Sequence, residues 1–118
     1  MKTILNKYKH FDISLHELKG VLGDDLYNVD DMTPTTVYAA DVAYAIKQYL
    51  SKTVSLSDLV QWVNVVWFTE LYEYDSSEEN SIASVMTLLE TLDEGVEYTT
   101  EEYARMIECL ETNKECNL

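Results

Sequence analysis

The chain is 118 residues long and 47% apolar, with 22 acidic against eight basic residues and a formal net charge of −14 at pH 7. That length makes one domain, residues 1–118, able to bury roughly two-thirds of its unfolded surface without a metal or disulfide staple. Three Gly and a single Pro, Pro34, are too few for the turns of a sandwich or barrel, and so negative a field repels nucleic acid and anionic lipid while attracting basic proteins.

The opening residues MKTILNKYKHFD hold neither a long apolar run nor a small-residue cleavage site, which argues against a signal peptide. TILNKY reads as irregular or as a short strand, and His10 and His16 as surface histidines. Ser14 with Glu17 forms the first capping pair; Leu15, Leu18 and Leu22 follow at helical spacing and Gly23 stands where a left-handed terminus is wanted. The helix is expected over about 14–22. GDDLYNVDDM then reads as an acidic loop, with Thr33 as the next cap and Pro34 at the first position of a helix over 34–51.

Ser55 with Asp58 caps the most apolar segment, LVQWVNVVWFTELYEY. Its Val, Trp and Phe content suits a buried strand, but a run near 18 residues without a turn signal favours a helix, expected over 55–74 with Leu59, Trp62, Val63, Val66 and Phe68 inside. Ser76 with Glu79 opens a helix with an Ile82, Val85, Leu89, Leu92 stripe that ends before Gly95. Thr99 with Glu102 opens the last, whose face is Tyr103, Met106, Ile107 and Leu110. The sum is an all-α, single-domain bundle of about five helices with a possible short strand or irregular segment at the N-terminus. The longest apolar stretch, Val63 to Phe68, is far short of the ~20 residues of a membrane span, and the expected location is the cytoplasm.

Catalytic and metal-binding constellations are missing. The two histidines sit beside no Ser or Cys motif that would make them bases. The pairs Asp24-Asp25, Asp30-Asp31, Glu78-Glu79 and Asp93-Glu94 lack calcium-loop spacing, and no Gly-rich phosphate loop is present. Cys109 and Cys116 match neither a CxxC motif nor a zinc knuckle. They read as reduced thiols, because on a continuous helix two turns would hold them about 10 Å apart, too far for a disulfide unless the tail folds back. The expectation is a protein that is not an enzyme and uses no cofactor and no metal.

Charge is the informative feature. Residues 1–57 hold seven acids and six bases, residues 58–118 fifteen acids and two bases. Density peaks from Glu70 to Glu79, with five acids, two Tyr and no base. Tyr supplies rigid contact area with one polar tip and is enriched at binding hot spots. A partner-binding surface is therefore expected at Glu70, Tyr72, Glu73, Tyr74, Asp75, Glu78 and Glu79, with Asp93, Glu94 and Glu97 as a second edge. Asp24, Asp25, Asp30 and Asp31 form a second candidate surface.

The segment YLSKTVSLSDLVQWVN at 49–64, with Trp62 and Asn64 following Leu59, resembles the helix end, loop and capped helix of small acidic immunity proteins of bacterial toxin systems. The acidic stretch, SIASVMTLLETL and TTEEYARMIECL follow in the same order, so the resemblance covers roughly residues 37–112. It implies neutralisation of a cognate toxin domain, as in colicin systems and contact-dependent growth inhibition. The partner implied is a basic nuclease domain, such as an RNase, bound as a 1:1 complex by a monomer that covers the substrate cleft. The alternative is an acidic regulator or adaptor that mimics nucleic acid and binds a host nucleic-acid-binding protein.

Overall fold

A computed structural model describes residues 2–24, 26 and 34–118. Those residues are mostly helical: α1 (Lys2–Lys9), α2 (Leu15–Leu22), α3 (Ala39–Leu50), α4 (Leu56–Phe68), α5 (Glu79–Glu90) and α6 (Thr100–Glu111), with two short strands, β1 (Thr35–Val37) and β2 (Tyr72–Tyr74). The Cα radius of gyration is 13.7 Å, against about 13.5 Å expected for one compact chain of this length. The buried apolar side chains form one cluster, with Trp62 fully enclosed. No helix among the described residues is long and apolar enough to cross a membrane.

Three capping pairs act as their sequences suggest. The hydroxyls of Ser14, Ser55 and Thr99 accept from the amides of Glu17, Asp58 and Glu102 at 3.1 Å. Asp58 and Glu102 reach back to the amides of Ser55 and Thr99 at 3.0 Å. Each motif satisfies amides that the first helical turn leaves free.

The N-terminal half departs from the all-α expectation. TILNKY is helical, within α1. Thr33 lies outside the described residues, and the first turns expected of a 34–51 helix are instead β1, whose Thr35, Thr36 and Val37 are β-branched. β1 pairs in parallel with β2, Thr35 opposite Tyr72, Thr36 opposite Glu73 and Val37 opposite Tyr74. Helix α3 begins only at Ala39, where Asp41 accepts from the amide of Tyr38 at 2.9 Å and Glu78 from the amide of Ala39 at 3.2 Å.

The central helix is also shorter than expected. It stops at Phe68 because Thr69 turns extended; the Thr69 hydroxyl donates to the carbonyl of Val65 and accepts from the amide of Leu71. The expected Ser76 cap is a 3₁₀ turn, Ser76–Glu78, that leads into α5. Phe68, expected inside, is half exposed.

The low glycine content is explained at the helix ends. Helices α1, α3 and α6 close with left-handed residues that are not glycine: Phe11 (φ 63°), Lys52 (φ 65°) and Asn113 (φ 53°). Each carries the long-range bond of a Schellman turn, from Asp12 to Lys7, Thr53 to Gln48 and Lys114 to Cys109. A left-handed residue with a Cβ costs about 1–2 kcal/mol. At Phe11 the ring stacks on Trp62, centroids 6.1 Å apart, which offsets that cost; exposed Lys52 has no such compensation. Lys52→Gly is expected to raise the urea-unfolding free energy by about 1 kcal/mol, and Phe11→Gly to lower it. Shifts of the same sign would contradict this account of the two turns.

Candidate protein-interaction surface

The acidic run expected at the exit of the central helix is spread by the fold over four local settings. Glu70 follows the end of α4, Glu73 stands on β2, Asp75 precedes and Glu78 ends the 3₁₀ turn, and Glu79 opens α5. Glu70, Glu73 and Glu79 are exposed, while Asp75 and Glu78 are half buried. Glu78 is committed to the first amide of α3, and Asp75 accepts from the hydroxyl of Ser77. Among the described residues, Glu70, Glu73 and Glu79 are the carboxylates of the run left without a hydrogen-bond or ion-pair partner.

The two tyrosines divide. On a strand, alternate residues point to opposite faces, so Tyr72 and Tyr74 share one side of β2 and Glu73 takes the other. Tyr72 is 5% exposed and its hydroxyl donates to the carbonyl of Leu5 at 2.7 Å. It belongs to the core and brings no contact area to a surface, which corrects its place in the expected site. Burial, with Tyr8 beside it, pushes the Tyr72 phenol far above its usual range; burial does the same for Tyr74, and burial with Asp58 nearby for Tyr8.

Tyr74 is half buried and rests on Trp67, ring centroids 5.1 Å apart. The indole N–H of Trp67 donates to Glu90 at 3.0 Å, which brings the last turn of α4 beside the last turn of α5. Phe68, the next residue, is 50% exposed. Sequence reasoning placed Tyr74 in the expected surface but missed Trp67, Phe68 and the carboxylate of Glu90 beside it. A signal was present for Phe68: it lies four residues after Asn64 and seven after Gln61, on the polar side of α4 rather than on the Leu59, Trp62, Val63, Val66 stripe.

Asp93, Glu94 and Glu97 are all exposed. Asp93 and Glu94 lie in the 3₁₀ turn after α5, while Glu79 stands at the other end of that helix, whose twelve residues span about 18 Å at 1.5 Å per residue. The expected site thus falls into two clusters rather than one. Trp67, at the α4 end, is bonded to Glu90, three residues before Asp93, whereas Glu79 is at the far end of α5. In the other candidate surface Asp24 is exposed, and Asp25, Asp30 and Asp31 lie outside the described residues.

A cleft of about 690 Å³ lies away from these acids, between the α1–α2 turn and the start of α4, and is lined among others by Phe11, His16, Lys19 and Asp58. Its charges are mixed, and Asp58 is engaged in its capping motif. His10, expected as a plain surface histidine, is partly exposed and hydrogen-bonds Asp41 at 3.0 Å. Among the described residues no group of three or more His, Cys, Asp or Glu side chains is placed to hold a metal.

The buried phenols give a pH dependence. Their folded-state pKa values lie above the unfolded value near 10, so their contribution to stability is intact below pH 10 and is lost as pH rises towards the folded values. Urea unfolding is expected to show falling stability above pH 10. Tyr72→Phe should lower stability by about 1 kcal/mol at pH 7, through the lost hydrogen bond, and flatten the alkaline decline; an unchanged decline would contradict the assignment. Compared with protein-family models, curated proteins and solved structures, the chain finds no match.

Proposed function

We propose that the chain is an inhibitor of the immunity type, which binds a basic bacterial toxin domain, a nuclease such as an RNase, and covers its substrate cleft. The observation that carries the reading is the α4 end. Exposed Phe68 and half-buried Trp67 immediately precede, and half-buried Tyr74 lies within, a stretch, Glu70 to Glu79, that has five acids and no base. Aromatic anchors ringed by one sign of charge suit protein recognition: the rings supply desolvated contact and the carboxylates steer an oppositely charged partner. A phosphate-binding cleft offers such a partner, and carboxylates can stand in for the phosphates it normally receives. The action is binding in the cytoplasm of the producing cell, as a 1:1 complex, with no reaction catalysed and no cofactor.

The test uses the product of the gene immediately upstream as the toxin candidate. Glu70→Lys with Glu73→Lys reverses two exposed charges without touching Glu78, which caps α3. This variant is expected to slow association about tenfold or more with little change in dissociation. Phe68→Ala should speed dissociation by a factor equivalent to about 2 kcal/mol. Both variants folding normally and neutralising the toxin at wild-type levels would remove this surface from the reading.

A further inference from the structure

The C-terminal segment brings together two thiols that a continuous helix would hold apart. Helix α6 ends at Glu111, and the left-handed residue Asn113 reverses the chain, so that the amide of Lys114 bonds the carbonyl of Cys109 at 2.9 Å. The reversal is anchored elsewhere. Asn113 donates to the carbonyl of Ser77 at 3.0 Å and meets the hydroxyl of buried Ser81 at 3.2 Å. The amide of Cys116 donates to the hydroxyl of Ser84 at 2.8 Å, which seats Cys116 in the core at 5% exposure. Cys109, on α6, is half buried, and both thiols are free.

We propose that Cys109 and Cys116 are a redox pair that closes reversibly into an intrachain disulfide, fastening the C-terminal tail across α6. The turn that defeats the helical spacing is held by the side chains of Ser81 and Ser84 on α5 and by the carbonyl of Ser77 in the turn before it, so native packing folds the segment that carries Cys116 back towards Cys109. Their roles differ. Burial, then contact with Cys109, pushes the Cys116 thiol up to about 11, against the lowering effect of Arg105, which makes it a poor first nucleophile because only the thiolate attacks.

With a small disulfide such as oxidised glutathione as oxidant, the Cys109 thiolate attacks one of its sulfurs. One glutathione thiolate leaves and a mixed disulfide remains on Cys109. Cys116 then gives up its proton and attacks the Cys109 sulfur, the second glutathione thiolate leaves, and both thiolates take up protons. Two protein thiols are oxidised and one small disulfide is reduced to two thiols.

The experiment treats the full, folded chain with oxidised glutathione and follows intact mass and thiol titre. The expected product is a monomer lighter by two hydrogens, with both titratable thiols lost and both recovered on reduction. Cys116→Ser should stop at a stable glutathione adduct on Cys109, and Cys109→Ser should react at least tenfold more slowly than Cys116→Ser. The proposal is overturned if the wild-type chain accumulates glutathione adducts, forms intermolecular dimers, or keeps both thiols under conditions that oxidise a small dithiol.

Discussion

The fold depends on a buried ion pair between Lys9 and Asp41, 3.0 Å apart, with side chains 5% and 11% exposed. The Lys9 ammonium also donates to the carbonyl of Thr36 at 3.1 Å and sits 5.8 Å from the Tyr38 ring centre. Asp41 accepts in addition from the amide of Tyr38 and meets His10. The end of α1, the outer edge of β1 and the start of α3 are thereby fixed at one point. Replacing such a pair with apolar residues is often neutral, whereas removing one partner costs about 3–5 kcal/mol by stranding a buried charge. What the pair contributes is position. An edge strand with free carbonyls invites pairing with another chain, and Lys9 occupies the Thr36 carbonyl.

That position propagates to the acidic segment. The carbonyl of Lys9 accepts from the Trp62 indole at 2.9 Å and that of Leu5 from the Tyr72 hydroxyl, so the last turns of α1 are held by α4 and β2. With Tyr72 committed inward, Glu73 is left outward by strand alternation, and Tyr74 meets Trp67. Exposed Phe68, Glu70 and Glu73 lie in or beside elements whose inward residues, Trp62 and Tyr72, bond to the last turns of α1.

What was legible in the sequence was local. Ser14, Ser55 and Thr99 announce helices because the group each cap satisfies lies three residues away. The stripe of α4, with Trp62 at its centre, is legible for the same reason. β1 and β2 were not, because three-residue strands pair across more than thirty positions and Thr-Thr-Val has no partner within its own window. Tyr72 illustrates the limit: its hydrogen-bond acceptor is 67 residues away, and Tyr-Glu-Tyr on a helix would have shown a different side. The burial of Lys9 was not legible either, since its partners, Asp41 and the Thr36 carbonyl, lie far along the chain. Phe68 was the readable exception, a large ring on the polar side of its own helix, and it would have shifted the expected surface from the tyrosines to the end of α4.

The functional reading joins two physical statements: a field of −14 selects basic partners at long range, and a small aromatic group at the end of α4 holds them at short range. These separate by ionic strength, since salt screens steering over about 10 Å at 0.1 M and leaves desolvated contacts nearly untouched. The most direct measurement is the association and dissociation rates of the wild-type protein with the candidate toxin domain, the product of the gene immediately upstream, from about 0.05 to 0.5 M salt. The account predicts an association rate that falls by at least tenfold while dissociation changes little. An association rate that is flat with salt, or no complex at any salt concentration, would contradict it.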